Sequence, residues 1–260
     1  LNGKPVLGAP GCARSPAENG FDWVLQQVLA GFSPDTIDIA GMGVGGLLME
    51  TGMRPHPRLG KDKQKGGKTA AIILAAGQSR RMGDANKMSV EIGGKAMVRH
   101  VAEAAVASGV SQTLVVTGHE PDVVHEALSG LDVGFVHSPR FNEGLSQSLA
   151  AGISALDDKI TGAVILLGDM PFITSGMINE MLEAGGTSRS IVMATHNGKR
   201  GNPVLWPSRF FQALTQIEGD TGARHVIGMH SHEVVEVELG EAAALDLDTP
   251  EAVAAVLQWR

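Results

Sequence analysis

The chain lacks the features that mark several broad classes of protein. A single cysteine, Cys12, among 260 residues excludes an intramolecular disulfide and a zinc site built from cysteines. The formal net charge is −7, and without a dense basic block beyond residues 61–68 there is no electrostatic footprint for nucleic acid. No apolar run approaches the roughly 18–20 residues that a membrane span needs. We therefore expect a cytoplasmic protein that acts on a small molecule.

A stretch rich in lysine and glycine divides the sequence into two unequal parts. It reads LGKDKQKGGK, spans 59–68, and has no apolar residue after Leu59, so it cannot contribute to a core. We interpret it as a linker between an N-terminal segment, 1–58, and a domain at 69–260. Because the chain starts at Leu1 rather than at Met, and within a patterned segment, we expect it to be the C-terminal part of a longer polypeptide.

Short apolar runs alternate with helical patterns throughout the larger part. The predicted strands are 70–75, 112–117, 133–137, 161–167, 190–195, 203–206 and 234–239. The predicted helices are 96–108, 122–129, 146–156, 176–184, 209–217 and 250–258. Because parallel strands need long crossovers, this alternation predicts an α/β fold with a mostly parallel sheet and helices on both faces. Ligands bind beyond the carboxyl ends of such strands, so we expect the chemistry in the loops after Leu74, Val116 and Leu167.

The loop that follows the first of these strands combines small residues with positive charge. It reads LAAGQSRRMGDANKM from Leu74 and contains Arg80, Arg81 and Lys87. Small residues let backbone N–H groups approach a triphosphate, and the cations neutralise it. The loop is neither a dinucleotide fingerprint nor a Walker A motif. A solvated turn is the alternative for a generic glycine-rich loop, but its place after a strand and its three cations favour phosphate binding.

Two acidic positions are candidates for a Mg²⁺ site. The motif VILLGDMPF is an apolar strand followed by Asp169, at the carboxyl edge of the predicted sheet. The motif LDLDTPEA offers Asp246 and Asp248 on one face of a short strand, and spacing alone does not choose between them. A turn or cap role is the alternative for Asp169, and the Thr-Pro pair after Asp248 suits the start of a helix.

At these motifs residues 68–260 resemble the molybdenum cofactor cytidylyltransferases, within the GT-A-like nucleotidyltransferases. Further matching segments are GLSQSL at 144–149, RGNPVLWP at 200–207 and GDTGAR at 219–224. The resemblance implies a three-layer αβα, Rossmann-like GT-A fold with a small N-terminal appendage. It also implies Mg²⁺-dependent transfer of CMP from CTP to the terminal phosphate of molybdenum-molybdopterin, giving the cytosine dinucleotide cofactor and pyrophosphate.

The resemblance assigns roles to individual positions. It implies that the nucleotide is held by Leu74, Ala75, Ala76 and Gly77. It implies that Arg81 and Lys87 bind the triphosphate and act with Asp169 in catalysis, while Asp169 and Asp248 hold Mg²⁺. It places Gly144 and Ser148 near the nucleoside, and Asn202, Asp220 and Arg224 on the acceptor side. For Gly144 a simple turn role is an equally good interpretation.

Substrate choice and partners also rest on resemblance. The alanine at position 76 in Leu-Ala-Ala-Gly resembles the cytidylyl branch, whereas related guanylyltransferases read Leu-Ala-Gly-Gly, so we expect CTP rather than GTP. Residues 11–25 and 41–48 resemble the end of a molybdopterin-binding domain, of which only part is present. A transient contact with a molybdoenzyme or its chaperone is also implied.

Two alternatives remain open at this level. One is a nucleotidyltransferase that uses another NTP or another phosphorylated acceptor. The other is a molybdopterin-binding chaperone whose transferase site is unused. The intact set of Arg81, Lys87, Asp169 and Asp248 favours a working transferase over the chaperone.

Overall fold

The computed structural model describes residues 68–78, 86–186, 190–217, 222–245, 247 and 249–257, all within the unit Lys65–Arg260. The N-terminal segment 1–58 and the linker up to residue 67 lie outside the described residues. Among the residues singled out in the sequence, Arg80, Arg81, Asp220, Asp246 and Asp248 also lie outside them. The first described residue, Lys68, begins a strand, although the sequence pattern placed it at the end of the linker.

Strands and helices alternate along the chain, as the sequence predicts. The strands are β1 (Lys68–Ala75), β2 (Glu91–Ile92), β3 (Lys95–Ala96), β4 (Gln112–Thr117), β5 (Gly134–His137), β6 (Ile160–Leu167), β7 (Ile191–His196), β8 (Lys199–Pro207) and β9 (Val234–Glu238). The α-helices are α1 (Met97–Val106), α2 (Pro121–Ala127), α3 (Leu145–Ser154), α4 (Ser175–Gly185), α5 (Phe211–Thr215), α6 (Gly222–Met229) and α7 (Pro250–Leu257). Within the described residues, no helix combines the length and apolarity that crossing a membrane requires.

Seven of the strands form one mostly parallel sheet. Their order across it is β5-β4-β1-β6-β8-β7-β9, and β2 pairs with β3 in a separate small hairpin. Only β8 among these strands runs antiparallel to its neighbours β6 and β7. The reversal occurs at Asn197 and Gly198, whose φ angles are 50° and 72°, which suits a tight hairpin turn. The predicted sheet is therefore confirmed, with one reversed strand.

The central strand β1 explains why the core has two halves. Its residues from 70 to 75 are almost fully buried, as expected for a strand covered on both faces. Ala71 and Ile73 pack in one cluster with residues of α1, α2 and α4. Ile72 and Leu74 pack in a second cluster with residues of α3, α5 and α6. Helices thus cover both faces of the sheet, and the three-layer αβα prediction is confirmed.

The strand register gathers the predicted functional loops at one edge. Leu74 of β1 lies opposite Val116 of β4 on one side and Leu167 of β6 on the other. Gly168 then donates its backbone N–H to the carbonyl of Leu74 at 3.0 Å, which continues the pairing beyond the end of β6. The loops after these strands are therefore neighbours at the carboxyl edge of the sheet.

Some elements were not predicted or differ in detail. Helix α6 begins at Gly222, within the GDTGAR motif, and the β2–β3 hairpin lies just before α1. In α1, Ala102 is fully buried, whereas Ala104 is only partly buried. The predicted helix 209–217 is observed as the shorter α-helix α5, because a 3₁₀ helix, Ser208–Phe210, forms the turn before it.

We predict that Gly152→Ala destabilises the fold because α3 lies very close to the sheet. A β-carbon at Gly152 would lie 2.7 Å from Cγ2 of Ile72 and 2.9 Å from Cγ2 of Val116, both on buried strands. The crowding should lower the free energy of unfolding by about 1–3 kcal/mol, measured by urea denaturation of the whole chain. The control is Gly176→Ala in α4, where the nearest heavy atom would be Thr174 Oγ1 at 3.7 Å. The control should be neutral or stabilising by up to about 1 kcal/mol, and equal effects of the two changes would contradict the prediction.

Candidate active site

A buried ion pair lies where the loops after β1 and β6 meet. Nζ of Lys87 is 2.5 Å from Oδ2 of Asp169, and the two side chains are only 6% and 17% exposed. Asp169 comes directly after Gly168, at the end of β6. The structure thus brings together Lys87, which the resemblance assigns to the triphosphate, and Asp169, which it assigns to Mg²⁺, although they are far apart in the chain.

A short 3₁₀ turn, Lys87–Ser89, directs Lys87 inward. Asn86 caps this turn: its Oδ1 accepts the backbone N–H of Met88 at 3.0 Å, and its carbonyl accepts the hydroxyl of Ser89 at 2.9 Å. Met88 is buried against the end of β6, since a β-carbon at Gly168 would lie 2.7 Å from its sulfur. Glycine at position 168 therefore allows the close contact between the two loops.

Asp169 is suited to hold a divalent cation. Its Oδ1 is buried and has no hydrogen-bond partner among the described residues, while its Oδ2 accepts from Lys87. A buried carboxylate oxygen of this kind is costly unless a ligand satisfies it. Carboxylate oxygens are hard donors of the type that Mg²⁺ and related cations take. The residues present therefore fit such a cation on the Oδ1 side.

The second predicted metal ligand lies outside the described residues, but its neighbour in the chain is described. Leu247 donates its backbone N–H to the carbonyl of Asp169 at 3.3 Å, and its side chain is fully buried with Ile92 and Met97. Within the described ranges no three His, Cys, Asp or Glu side chains cluster as a metal site would require. A metal site that includes Asp246 or Asp248 would therefore contain a residue outside the described part of the chain.

The predicted nucleotide loop begins in the core rather than on the surface. Leu74, Ala75 and Ala76 are 5%, 1% and 4% exposed, so their side chains pack inside the domain. Gly77 is exposed, and a β-carbon there would meet nothing within 4 Å. Because the side chains of the two alanines are buried, only their backbone groups can contact a ligand. The small side chains therefore serve packing in the core as well as access of a ligand to the backbone. The sequence did not distinguish these two functions.

The predicted nucleoside residues lie at the start of α3. Gly144 precedes this helix with φ 120°, a value that favours glycine, so the turn interpretation of this residue explains its identity. Ser148 is 2% exposed on the helix. The hydroxyls of Ser138 and Ser146 are buried and have no hydrogen-bond partner among the described residues. Sequence reasoning missed these two groups, although Ser146 lies within the GLSQSL motif.

The predicted acceptor residues are spread over two elements. Asn202 is half-buried on β8, where the register places Val204 opposite Ile165 of β6. Because β8 runs antiparallel, Asn202 lies towards the carboxyl end of β6 and hence towards Asp169. Arg224 is exposed on α6. Asn202 is thus near the expected edge of the sheet, and the roles of both residues stay predictions.

Comparison with known protein families identifies one matching family. Residues 71–234, which run from within β1 to the first residue of β9 and include the Lys87–Asp169 pair, match the MobA-like NTP transferase domain. The match covers more than half of the 260-residue chain.

Individual relatives agree with this match. The bifunctional protein GlmU of Syntrophomonas wolfei is 33% identical over 119 residues, which are 45% of this chain and 26% of that protein. The chain thus spans about a quarter of the length of the curated relatives it matches.

Two solved structures share the fold. The manganese complex of Rv0371c from Mycobacterium tuberculosis has 22% identity, a TM-score of 0.62, and coverage of 74% of this chain and 98% of that one. A CMP:2-keto-3-deoxy-manno-octonic acid synthetase complexed with CTP has 16% identity, a TM-score of 0.60, and coverage of 74% and 98%.

We predict that Lys87→Met destabilises the fold more than a substitution that breaks an exposed ion pair does. The change leaves the Asp169 carboxylate buried without its ammonium partner, which should cost about 3–5 kcal/mol of unfolding free energy. The added change Asp169→Asn should recover part of this loss, because it removes the buried charge. Denaturant unfolding of the single and double variants measures both effects.

An exposed pair on α1 and β3 provides the matched control. Lys95 Nζ lies 2.7 Å from Glu103 Oε2, with side chains 49% and 33% exposed. The hydrogen bond from Lys95 is the main cause that holds the pKa of Glu103 below its ordinary value. Because both side chains are exposed to solvent, Lys95→Met should cost no more than about 1 kcal/mol. A loss at Lys87 as small as the loss at Lys95 would contradict the importance of the buried pair.

Proposed function

Because the chain belongs to the MobA-like NTP transferase domain family, we propose that it transfers CMP from CTP to the terminal phosphate of molybdenum-molybdopterin. Pyrophosphate is the second product. Family membership supports the reaction class, nucleotidyl transfer from a nucleoside triphosphate. The single observation that carries the proposal is the buried Lys87–Asp169 pair, 2.5 Å apart beside the glycine-rich loop.

The side chains act by placing charge rather than by forming a covalent bond. The attacking group is a phosphate monoester, which is already anionic at neutral pH, so no side-chain nucleophile is required. Lys87 stabilises negative charge on the triphosphate together with Arg81, whose guanidinium suits two phosphate oxygens. Asp169 fixes the ammonium of Lys87 through Oδ2. Catalysis in this proposal is alignment plus electrostatic stabilisation.

A divalent cation completes the proposed site. We assign Mg²⁺ to Asp169 and Asp248, where it would neutralise charge on the phosphates of the nucleotide. Leu247, which lies between Asp246 and Asp248 in the sequence, donates its backbone N–H to the carbonyl of Asp169. Asp246 and Asp248 both flank Leu247, and the family resemblance favours Asp248. The manganese complex of Rv0371c supports the use of a divalent metal.

Sequence features support the choice of CTP and of the acceptor. The Leu-Ala-Ala-Gly segment at 74–77 resembles the cytidylyl branch, and a solved structure of the same fold is a synthetase complexed with CTP. The segment 1–58, with its likeness to a molybdopterin-binding domain, supports a pterin acceptor. In this proposal residues 59–68 link that segment to the transferase domain at 69–260.

A second candidate keeps the reaction class and changes a substrate. The 33% identity to GlmU over 119 residues favours a nucleotidyltransferase that uses another NTP or another phosphorylated acceptor. Identification of the nucleotide and of the product separates the two candidates.

We predict pyrophosphate release from CTP when Mg²⁺ and molybdenum-loaded molybdopterin are both present. The purified chain is assayed with CTP, GTP, ATP and UTP, each alone, with the pterin and with a sugar phosphate, and the product is identified by mass spectrometry. Release only with CTP and pterin supports the cytidylyltransferase. Turnover of a different nucleotide, or of a sugar phosphate, supports the second candidate instead. Pterin binding without turnover of any nucleotide would overturn both.

We also predict that Asp169→Asn and Lys87→Ala each lower kcat by about 100-fold or more, the loss typical of removing one preorganised electrostatic contact. The assay is run at a temperature at which circular dichroism shows the variants to be folded. Glu103→Ala, in the exposed pair, is the control and should keep the kcat of the unchanged protein. Near-normal turnover in either folded site variant rejects the assignment of that residue.

A further inference from the structure

Glu120 has an unusual backbone conformation at the edge of the candidate site. It lies between β4 and α2 with φ 47° and ψ 60°, in the left-handed region that residues with a β-carbon rarely occupy. Glycine or asparagine adopts this conformation more readily. A strained residue of this kind persists only when its surroundings hold it, and such residues are concentrated at functional sites. The contacts of the Glu120 carboxylate show what surrounds this residue.

The carboxylate of Glu120 contacts the residue that precedes Lys87. Nδ2 of Asn86 donates a hydrogen bond to Oε2 of Glu120 at 3.1 Å, across 34 positions of sequence. Asn86 is 8% exposed, so this bond is partly shielded from water. Nε2 of His119 lies 3.7 Å from the same oxygen. Glu120 thus connects the end of β4 to the loop that carries the catalytic lysine.

Asn86 uses both ends of its amide group. While Nδ2 donates to Glu120, Oδ1 accepts the backbone N–H of Met88 at 3.0 Å. Because the amide is planar, fixing one end also fixes the orientation of the other. Met88 follows Lys87 in the 3₁₀ turn, so the position of Glu120 constrains the turn on both sides of the lysine.

We propose that Glu120 is a positioning residue for the transfer reaction, acting through Asn86 to hold the turn that directs Lys87 towards Asp169 and the phosphates. Its effect on the reaction rests on the proposed function, whereas its effect on the turn does not. Misplacing a charge-stabilising group by about 1 Å can cost up to about 100-fold in rate, so a modest loosening of the turn has a measurable effect.

The first experiment compares two substitutions at position 120. Glu120→Gly removes the carboxylate but suits the left-handed backbone, so the variant should fold. Glu120→Gln keeps an oxygen that can accept from Asn86. We expect kcat for CTP to fall about 10- to 100-fold in the glycine variant, with a smaller change in KM, and to stay within about threefold in the glutamine variant. Glu126→Ala, an exposed carboxylate on α2, should leave both constants unchanged.

The second experiment tests whether the effect passes through Lys87. In a chain that already carries Lys87→Ala, Glu120→Gly should cause no further loss of kcat, because the group that it positions is gone. A further loss of the same size as in the unchanged protein would overturn the proposal, since Glu120 would then act independently of the lysine.

The third experiment needs no turnover and so separates this inference from the proposed function. Amide hydrogen exchange of Met88, measured by NMR without nucleotide, should be at least tenfold faster in Glu120→Gly than in the unchanged protein, and near normal in Glu120→Gln. Unchanged exchange in Glu120→Gly would overturn the inference. If the unchanged protein turns over no nucleotide, the proposed function fails, while the exchange of Met88 still decides whether Glu120 holds the turn.

Discussion

The burial of the Lys87–Asp169 pair is the constraint on which the candidate site depends. Two opposite charges with side chains 6% and 17% exposed are tolerated only when each stays close to its partner. The loop after β1 and the end of β6 must therefore keep a fixed separation. Glycine at position 168, which leaves room for Met88, and Asn86, which caps the turn, both serve this requirement. Local packing and hydrogen bonding therefore keep the two charges of the ion pair close to each other.

The sheet supplies the frame for this pair because parallel strands end at the same edge. Adjacent pairing of β4, β1 and β6 makes the loops after them neighbours, although long stretches of sequence separate them. The sequence could predict this much, since continuous apolar runs between helical patterns indicate a buried parallel sheet. It could also single out Asp169, which follows the end of a predicted strand, and Lys87, which lies in the charged loop after another predicted strand.

The remaining features depend on contacts that no local pattern contains. The hydrogen bond from Asn86 to Glu120 joins positions 34 apart, and neither residue type is unusual in a loop. The burial of Ala75 and Ala76 could not be inferred from the sequence either, because small residues suit both a core and a phosphate-binding loop. The reversed strand β8 is different, because a local pattern does indicate it. The Asn-Gly pair at 197 and 198 is a strong hairpin signal, which the prediction from alternating strands and helices did not use.

The ion pair can remain in place while both partners serve a substrate. An ammonium has three N–H donors, so the proposed contact of Lys87 with a phosphate oxygen is compatible with its bond to Asp169. A carboxylate has two oxygens, and Oδ1 of Asp169 faces no hydrogen-bond partner among the described residues, which leaves it to a cation. In the proposed reaction the bond between Lys87 and Asp169 is kept while both groups act. A site that needs no rearrangement of its charges is already organised for the transition state, which is the condition under which electrostatic stabilisation contributes most to rate. The same property explains why the restraint from Glu120 on a turn outside the pair can matter for catalysis.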